Sequence, residues 1–157
     1  MNIKGIDKKV IAALRTSFLP VARVAVFVVY FYFGILKLFG QSPASPLAQA
    51  LTAKTIGLQH FNLAFNILAV YECVIGILFL FPKMTRVVIP LLFIHLIIVC
   101  SPLILVSNLA FTKPFVPTLE GQYIIKNVVI IALAIGVAAQ TKPLALGKRD
   151  RTTLRRG

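Results

Sequence analysis

Apolar residues in this chain gather into four long blocks, about Phe18–Phe39, Phe61–Phe81, Val87–Leu109 and Gln122–Ala139. Each approaches or exceeds the ~20 residues a helix needs to cross a ~30 Å hydrocarbon core. Blocks that long exceed the apolar stripe of a soluble helix, so the pattern predicts an all-α, integral membrane four-helix bundle. The first connection opens with Gln41 to Pro46, where two prolines stop the helix. Leu47, Ala48, Leu51 and Leu58 then suggest a short interfacial helix in that connection. Pro82 to Arg86 is a tight turn, which makes the second and third blocks an antiparallel hairpin. Pro102 interrupts the third block, and the third connection carries Pro114 and Pro117. Thr118 is a candidate cap for the fourth helix, with Glu120 in its first turn; Glu120 could instead pair with Lys37 or Lys113 at the rim.

Composition agrees: 59% of residues are apolar and 13% charged, against about one quarter charged in soluble domains. The 157 residues divide into a basic lead-in (1–17), a four-helix transmembrane domain (18–141) and a basic tail (142–157). Ile3, Ile6, Val10, Ala13 and Leu14 recur at helical spacing in the lead-in, a pattern for an amphipathic interfacial helix. The first block is too long for the apolar core of a signal peptide and contains Arg23 and Lys37, so it is expected to be retained.

The net charge of +13 raises the question of nucleic acid. Its placement answers no. Lys4, Lys8, Lys9 and Arg15 precede the first block, Lys83 and Arg86 sit in the second connection, and six more cations follow Thr141. The first and third connections carry few. Under the positive-inside rule both termini are cytoplasmic, an N-in/C-in topology, and the basic tail can also touch anionic headgroups. Cys73 and Cys100 lie at different depths and read as small buried residues, without a disulfide.

The candidate chemistry lies inside the blocks. Only four residues are acidic, and one of them, Glu72, sits near the centre of the second block. A charge about 15 Å from either water phase costs about 3 kcal/mol or more unless it is paired, hydrated or protonated. His95 lies at similar depth on the neighbouring antiparallel helix, so a Glu72–His95 hydrogen bond is one expectation; a His95 bonded to a backbone carbonyl is the other. Arg23, Tyr30, Gly34 and Lys37 share a narrow stripe in the first block. In the second block Asn62, Asn66, Ala69, Cys73 and Gly76 share a face with Glu72 on its edge. Gln122, Lys126 and Asn127 cluster near the start of the fourth. These residues suggest an outward-facing polar pocket lined by Lys37, Asn66, Gln122, Lys126 and Asn127, with Glu72 at its floor and His95 beside it. The plainer alternative is helix–helix adhesion through polar side chains. No catalytic motif is present, no Cys/His cluster has metal spacing, and a bis-His haem lacks a second mid-depth histidine.

Three segments resemble the DoxX-like superfamily of small four-helix membrane proteins, which includes the related reactive-chlorine resistance inner-membrane proteins. They are Gly34 to Gly40 ending the first block, Glu72 to Leu78 in the second, and Glu120 to Asn127 opening the fourth. Where relatives often carry an acid after the lysine of the last segment, this chain has Asn127. The resemblance implies a multi-pass protein of the inner (cytoplasmic) membrane and a subunit of a redox or oxidative-stress-defence system. It implies a soluble partner protein and a quinone-like or anionic ligand held by Lys37, Glu72 and Lys126, with no covalent cofactor. A homo-oligomer is also compatible. Fold alone does not transfer a reaction. Two other readings stand beside it: a small proton-coupled transporter or channel, and a non-catalytic assembly protein. The apolar run Val74 to Phe81 below Glu72 weighs against a channel.

Overall fold

A computed structural model describes residues 3–143; Met1, Asn2 and most of the basic tail, residues 144–157, lie outside the described residues. Four helical stretches are long and apolar enough to cross a membrane: Ile3–Leu38, Leu58–Phe79, Pro82–Leu105 and Leu119–Ala139. The first is one unbroken helix, α1 (Ile3–Leu38), so the basic lead-in runs straight into the first span. Helix α2 (Ser45–Thr55) follows, then α3 (Phe61–Phe79) and α4 (Thr85–Cys100). Past Ser101, which keeps helical geometry, the third span continues as α5 (Pro102–Leu105) and ends at Val106 (φ −128°, ψ 47°), before the short α6 (Ser107–Ala110). A small hairpin of β1 (Phe111–Lys113) and β2 (Val116–Pro117), unforeseen in the sequence, precedes α7 (Leu119–Ile125) and α8 (Asn127–Ala139). The fourth span therefore starts three residues before Gln122. Thr118 caps it, its hydroxyl accepting from the Gly121 amide at 3.1 Å.

Helices α1, α3, α4 and α8 form a ring in which α1 packs on α3 and α8, and α4 packs on the same two. The core inside the ring contains Val26, Ile75, Phe79, Val88, Leu92, Ala134 and Val137, all shut off from solvent. Large apolar side chains on the outside stay bare, among them Leu63, Ile97, Ile104 and Val129. In water that surface would be a severe penalty; against acyl chains it is the expected exterior. The chain is a multi-pass membrane protein in a lipid environment. We call the end carrying the first turns of α4 and residues 140–143 the terminal end, and the opposite one the loop end.

The tightest contact is between α1 and α3, and two glycines make it possible. A Cβ on Gly34 would lie 2.6 Å from Cys73 Sγ and 2.8 Å from the Ala69 carbonyl oxygen, and one on Gly76 would lie 3.0 Å from the Phe31 amide nitrogen. Small residues let helix backbones approach closely in lipid, where packing replaces the hydrophobic effect as the driving force. Helix α1 then stops at Gly40 (φ 67°), where the Gln41 amide donates to the Leu36 carbonyl at 2.8 Å and the Gly40 amide to Lys37 at 3.1 Å. That stop turns the chain across the loop end, where α2 packs on the start of α3 and on α5.

Candidate functional site

The polar stripe read from the spacing in the first block is the buried face of α1: Arg23, Tyr30, Gly34 and Lys37 all point inward. Lys37 lies one turn beyond Gly34, and Glu72 is next to Cys73, so the close α1–α3 crossing brings the two charges together. Lys37 Nζ donates to Glu72 Oε2 at 2.5 Å. The other carboxylate oxygen, Oε1, lies 2.9 Å from His95 Nε2, and His95 Nδ1 lies 3.2 Å from the Tyr30 hydroxyl. Four side chains from three helices thus form one chain of hydrogen bonds, Lys37–Glu72–His95–Tyr30. Glu72 and His95 are each only 4% exposed.

The donor and acceptor roles at His95 follow from its tautomer. Glu72 and Lys37 satisfy each other as carboxylate and ammonium. With the ring proton on Nε2, Nε2–H donates to Oε1 and Nδ1 accepts from the Tyr30 O–H, so one neutral tautomer satisfies both contacts. The Tyr71 hydroxyl donates to the Leu91 carbonyl at 2.8 Å, and its ring lies 6.1 Å from that of His95, closing one side of the site. Among the described residues no buried side-chain nitrogen or oxygen lacks a partner.

Lys37 also borders a polar cavity of about 300 Å³ at the loop end. Ser45 and Gln49 of α2 and Asn62 and Asn66 of α3 line it, with Phe61 and Phe65 giving it an apolar wall. Ammonium carries three N–H donors, and the described hydrogen bonds of Lys37 use one of them, on Glu72. The site is therefore an open polar vestibule with a charged floor and a proton-bearing chain behind it.

Of the residues singled out in the sequence, the structure brings Lys37, Glu72 and His95 into direct contact and puts Asn66 at the vestibule beside Lys37. It does not bring Gln122, Lys126 or Asn127 there. Gln122 and Lys126 are exposed and Asn127 is half-buried. Lys126 Nζ instead lies 5.0 Å from the ring centre of exposed Tyr123. Glu120 is exposed and, among the described residues, every ion pair involves Glu72, so the rim pairing with Lys37 or Lys113 is not formed. Cys73 and Cys100 are both free thiols. Sequence reasoning did not identify Ser45 and Gln49, because nothing in the chain says which face of a surface helix will lie over a vestibule. Among the described residues no three His, Cys, Asp or Glu side chains converge as a metal site.

Below Tyr30 the bundle turns apolar. Val26, Ile75, Phe79, Val88 and Leu92, all fully buried, fill the path toward the terminal end. Beyond them lies Arg23, 8% exposed, whose guanidinium donates to the Phe79 carbonyl at 2.9 Å and to Thr85 Oγ1 at 2.7 Å. It satisfies a free carbonyl at the C-terminus of α3, where a cation also complements the helix dipole.

Comparison of the chain with protein-family models, with curated proteins and with solved structures yields no match.

Proposed function

We propose that this protein is a DoxX-like ligand-binding subunit of a redox or oxidative-stress-defence system in the inner membrane. In this reading the termini face the cytoplasm, α2 lies along the outer membrane surface, and the vestibule opens outward. The observation that carries the proposal is the dead-ended polar chain: Lys37 at the vestibule, Glu72, His95 and Tyr30 behind it, and an apolar plug below. A transport path needs polar continuity through the bundle, and five fully buried apolar side chains occupy it.

The vestibule fits a quinone headgroup or a small anion. Its volume of about 300 Å³ is that of a small-ligand site. The Lys37 ammonium and the Asn62 and Asn66 amides offer donors to a carbonyl or anionic oxygen, and Phe61 and Phe65 offer a face to a ring. A bound quinone would supply two-electron, two-proton acceptance. Lys37 orients the ligand oxygen, Glu72 holds Lys37 in place, and His95, between Glu72 and Tyr30, is the group able to take or release a proton at Nδ1. A soluble partner would deliver or remove electrons from the outer face.

The test is extraction of small molecules from protein purified in mild detergent, followed by mass spectrometry, on wild type, Glu72→Gln and Lys37→Met. A quinone or organic anion present in wild type and depleted in both variants supports the reading. Identical extracts from all three, containing phospholipid alone, would overturn it.

A further inference from the structure

A second concavity lies at the terminal end, between α4 and α8, with a volume of about 460 Å³. Ile89, Pro90 and Ala138 give it an apolar lining, Arg86 and Lys142 a cationic one, and Thr85 also lines it. The two linings lie at different depths. Arg86 is the second residue of α4 and Lys142 follows the end of α8 at Ala139 by three residues, so both stand at the membrane rim. Ile89 and Pro90 lie about one turn further in.

A cationic excess surrounds this groove. The Arg86 guanidinium donates to the Lys142 carbonyl at 2.6 Å, a neutral acceptor. Behind the groove wall, Arg23 donates to the hydroxyl of Thr85, and its other acceptor is also neutral. Among the described residues all ion pairs belong to Glu72, so Arg23, Arg86 and Lys142 have no carboxylate partner. Arg23 is nine-tenths buried and is held by these neutral acceptors, so its positive charge adds to the field of the groove. Water or a free ion could balance the rim charges. The apolar lining of the groove, continuous with the lipid-facing surface, selects an occupant that carries an acyl chain as well as a negative charge.

We infer that the α4–α8 groove is a binding site for one anionic phospholipid, its phosphate held by Arg86 and Lys142 and one acyl chain laid over Ile89, Pro90 and Ala138. Arg23 contributes through the field behind Thr85 and makes no direct contact. The bound lipid places a negative charge beside cations that, among the described residues, pair with no carboxylate, and it ties α4 to the end of α8. This site is separate from the Lys37–Glu72 vestibule and stands whatever that vestibule binds.

The test is native mass spectrometry of the detergent-purified protein after incubation with equal amounts of phosphatidylglycerol and phosphatidylcholine. Wild type should retain one phosphatidylglycerol per chain in preference to phosphatidylcholine. Loss of two basic contacts in Arg86→Gln/Lys142→Gln should cut that preference by about 30-fold. Ile89→Trp, which fills the apolar part and leaves every charge in place, should also release the lipid. Lys8→Gln/Lys9→Gln, far from the groove, should not change it. Equal retention of both lipids by wild type, or an unchanged preference in both groove variants, overturns the inference. Displacement of the lipid by millimolar inorganic phosphate would also overturn it, by showing that a free anion is the ligand.

Discussion

Two buried cations project from the same face of α1, and the bundle treats them in opposite ways. Lys37 at the loop end meets a carboxylate, a histidine and a polar vestibule. Arg23 at the terminal end meets a carbonyl, a hydroxyl and an apolar core. The chemistry of the side chains explains part of this difference. A guanidinium spreads its charge over a planar fork of five donors and is weakly hydrated, so neutral acceptors can hold it. An ammonium is a compact, strongly hydrated charge and needs an anion when buried. The lesson is that buried charge does not by itself mark a site. The cation that recruits the one mid-span carboxylate and borders open polar space is the functional candidate, whereas Arg23 holds α3 against α4.

The comparison is broken most severely by Glu72→Leu. It leaves the Lys37 ammonium buried without its anion, and losing one partner of a buried pair costs about 3–5 kcal/mol. Unfolding in mixed detergent micelles would measure it. Lys37→Met/Glu72→Leu should regain most of the loss, since the orphaned charge goes with its partner. If the double variant is no more stable than Glu72→Leu, the pairing is not what makes that single variant unstable. Next in size is Arg23→Leu. It removes two charge-assisted hydrogen bonds but strands no charge, and Thr85 keeps its own bond to the Pro82 carbonyl. A loss of about 2 kcal/mol is expected, with ligand retention at the vestibule unchanged. A loss equal to that of Glu72→Leu would erase the distinction between the two ends.

How much of this was legible in the sequence follows from what one-dimensional spacing carries. Depth is readable, because rise per residue is fixed. Counting from span ends put Glu72 and His95 at one level, and they are hydrogen-bonded. Azimuth is readable only where polar residues break the symmetry of a helix. On α1 the spacing of Arg23, Tyr30 and Lys37 did so, and that stripe is the buried face. On the fourth span depth suggested that Gln122, Lys126 and Asn127 could join the vestibule, but depth says nothing of direction. Packing is set there by small or apolar positions, Gly121, Ile124, Ala134 and Val137, which point inward and turn Gln122 and Lys126 outward. Nor could spacing reveal that the approach of Gly34 to Ala69 and Cys73 is what brings Lys37 within reach of Glu72. That is a tertiary fact, carried by residues with little signal of their own.

Gly34→Val sharpens this last point. Its Cβ would fall 2.6 Å from Cys73 Sγ and 2.8 Å from a backbone oxygen that has little room to move. Overpacking of this kind costs about 1–3 kcal/mol. Because it forces α1 from α3, it should also weaken ligand retention without touching any polar group. Gly34→Val/Cys73→Ala removes the sulfur but leaves the Ala69 oxygen, so only part of the loss should return. Full recovery would mean that the sulfur alone sets the distance between the helices.

The smallest effect belongs to Tyr30→Phe. The hydroxyl ends the hydrogen-bonded chain, and removing it costs His95 Nδ1 its donor while Glu72, Lys37 and the vestibule keep theirs. A stability loss of about 1 kcal/mol is expected, the usual net worth of one neutral hydrogen bond. The sharper readout is the ¹⁵N spectrum of His95. In wild type one ring nitrogen should be protonated and the other should carry the shift of an acceptor bonded to an O–H. In Tyr30→Phe the protonated nitrogen should stay where it is and the acceptor should move toward the unbonded position. Two protonated ring nitrogens in wild type would contradict the assigned chain, because the Tyr30 hydroxyl would then have to accept from His95. The loop-end cluster would carry a net positive charge, and the contrast with Arg23 would have to be drawn between two cationic ends.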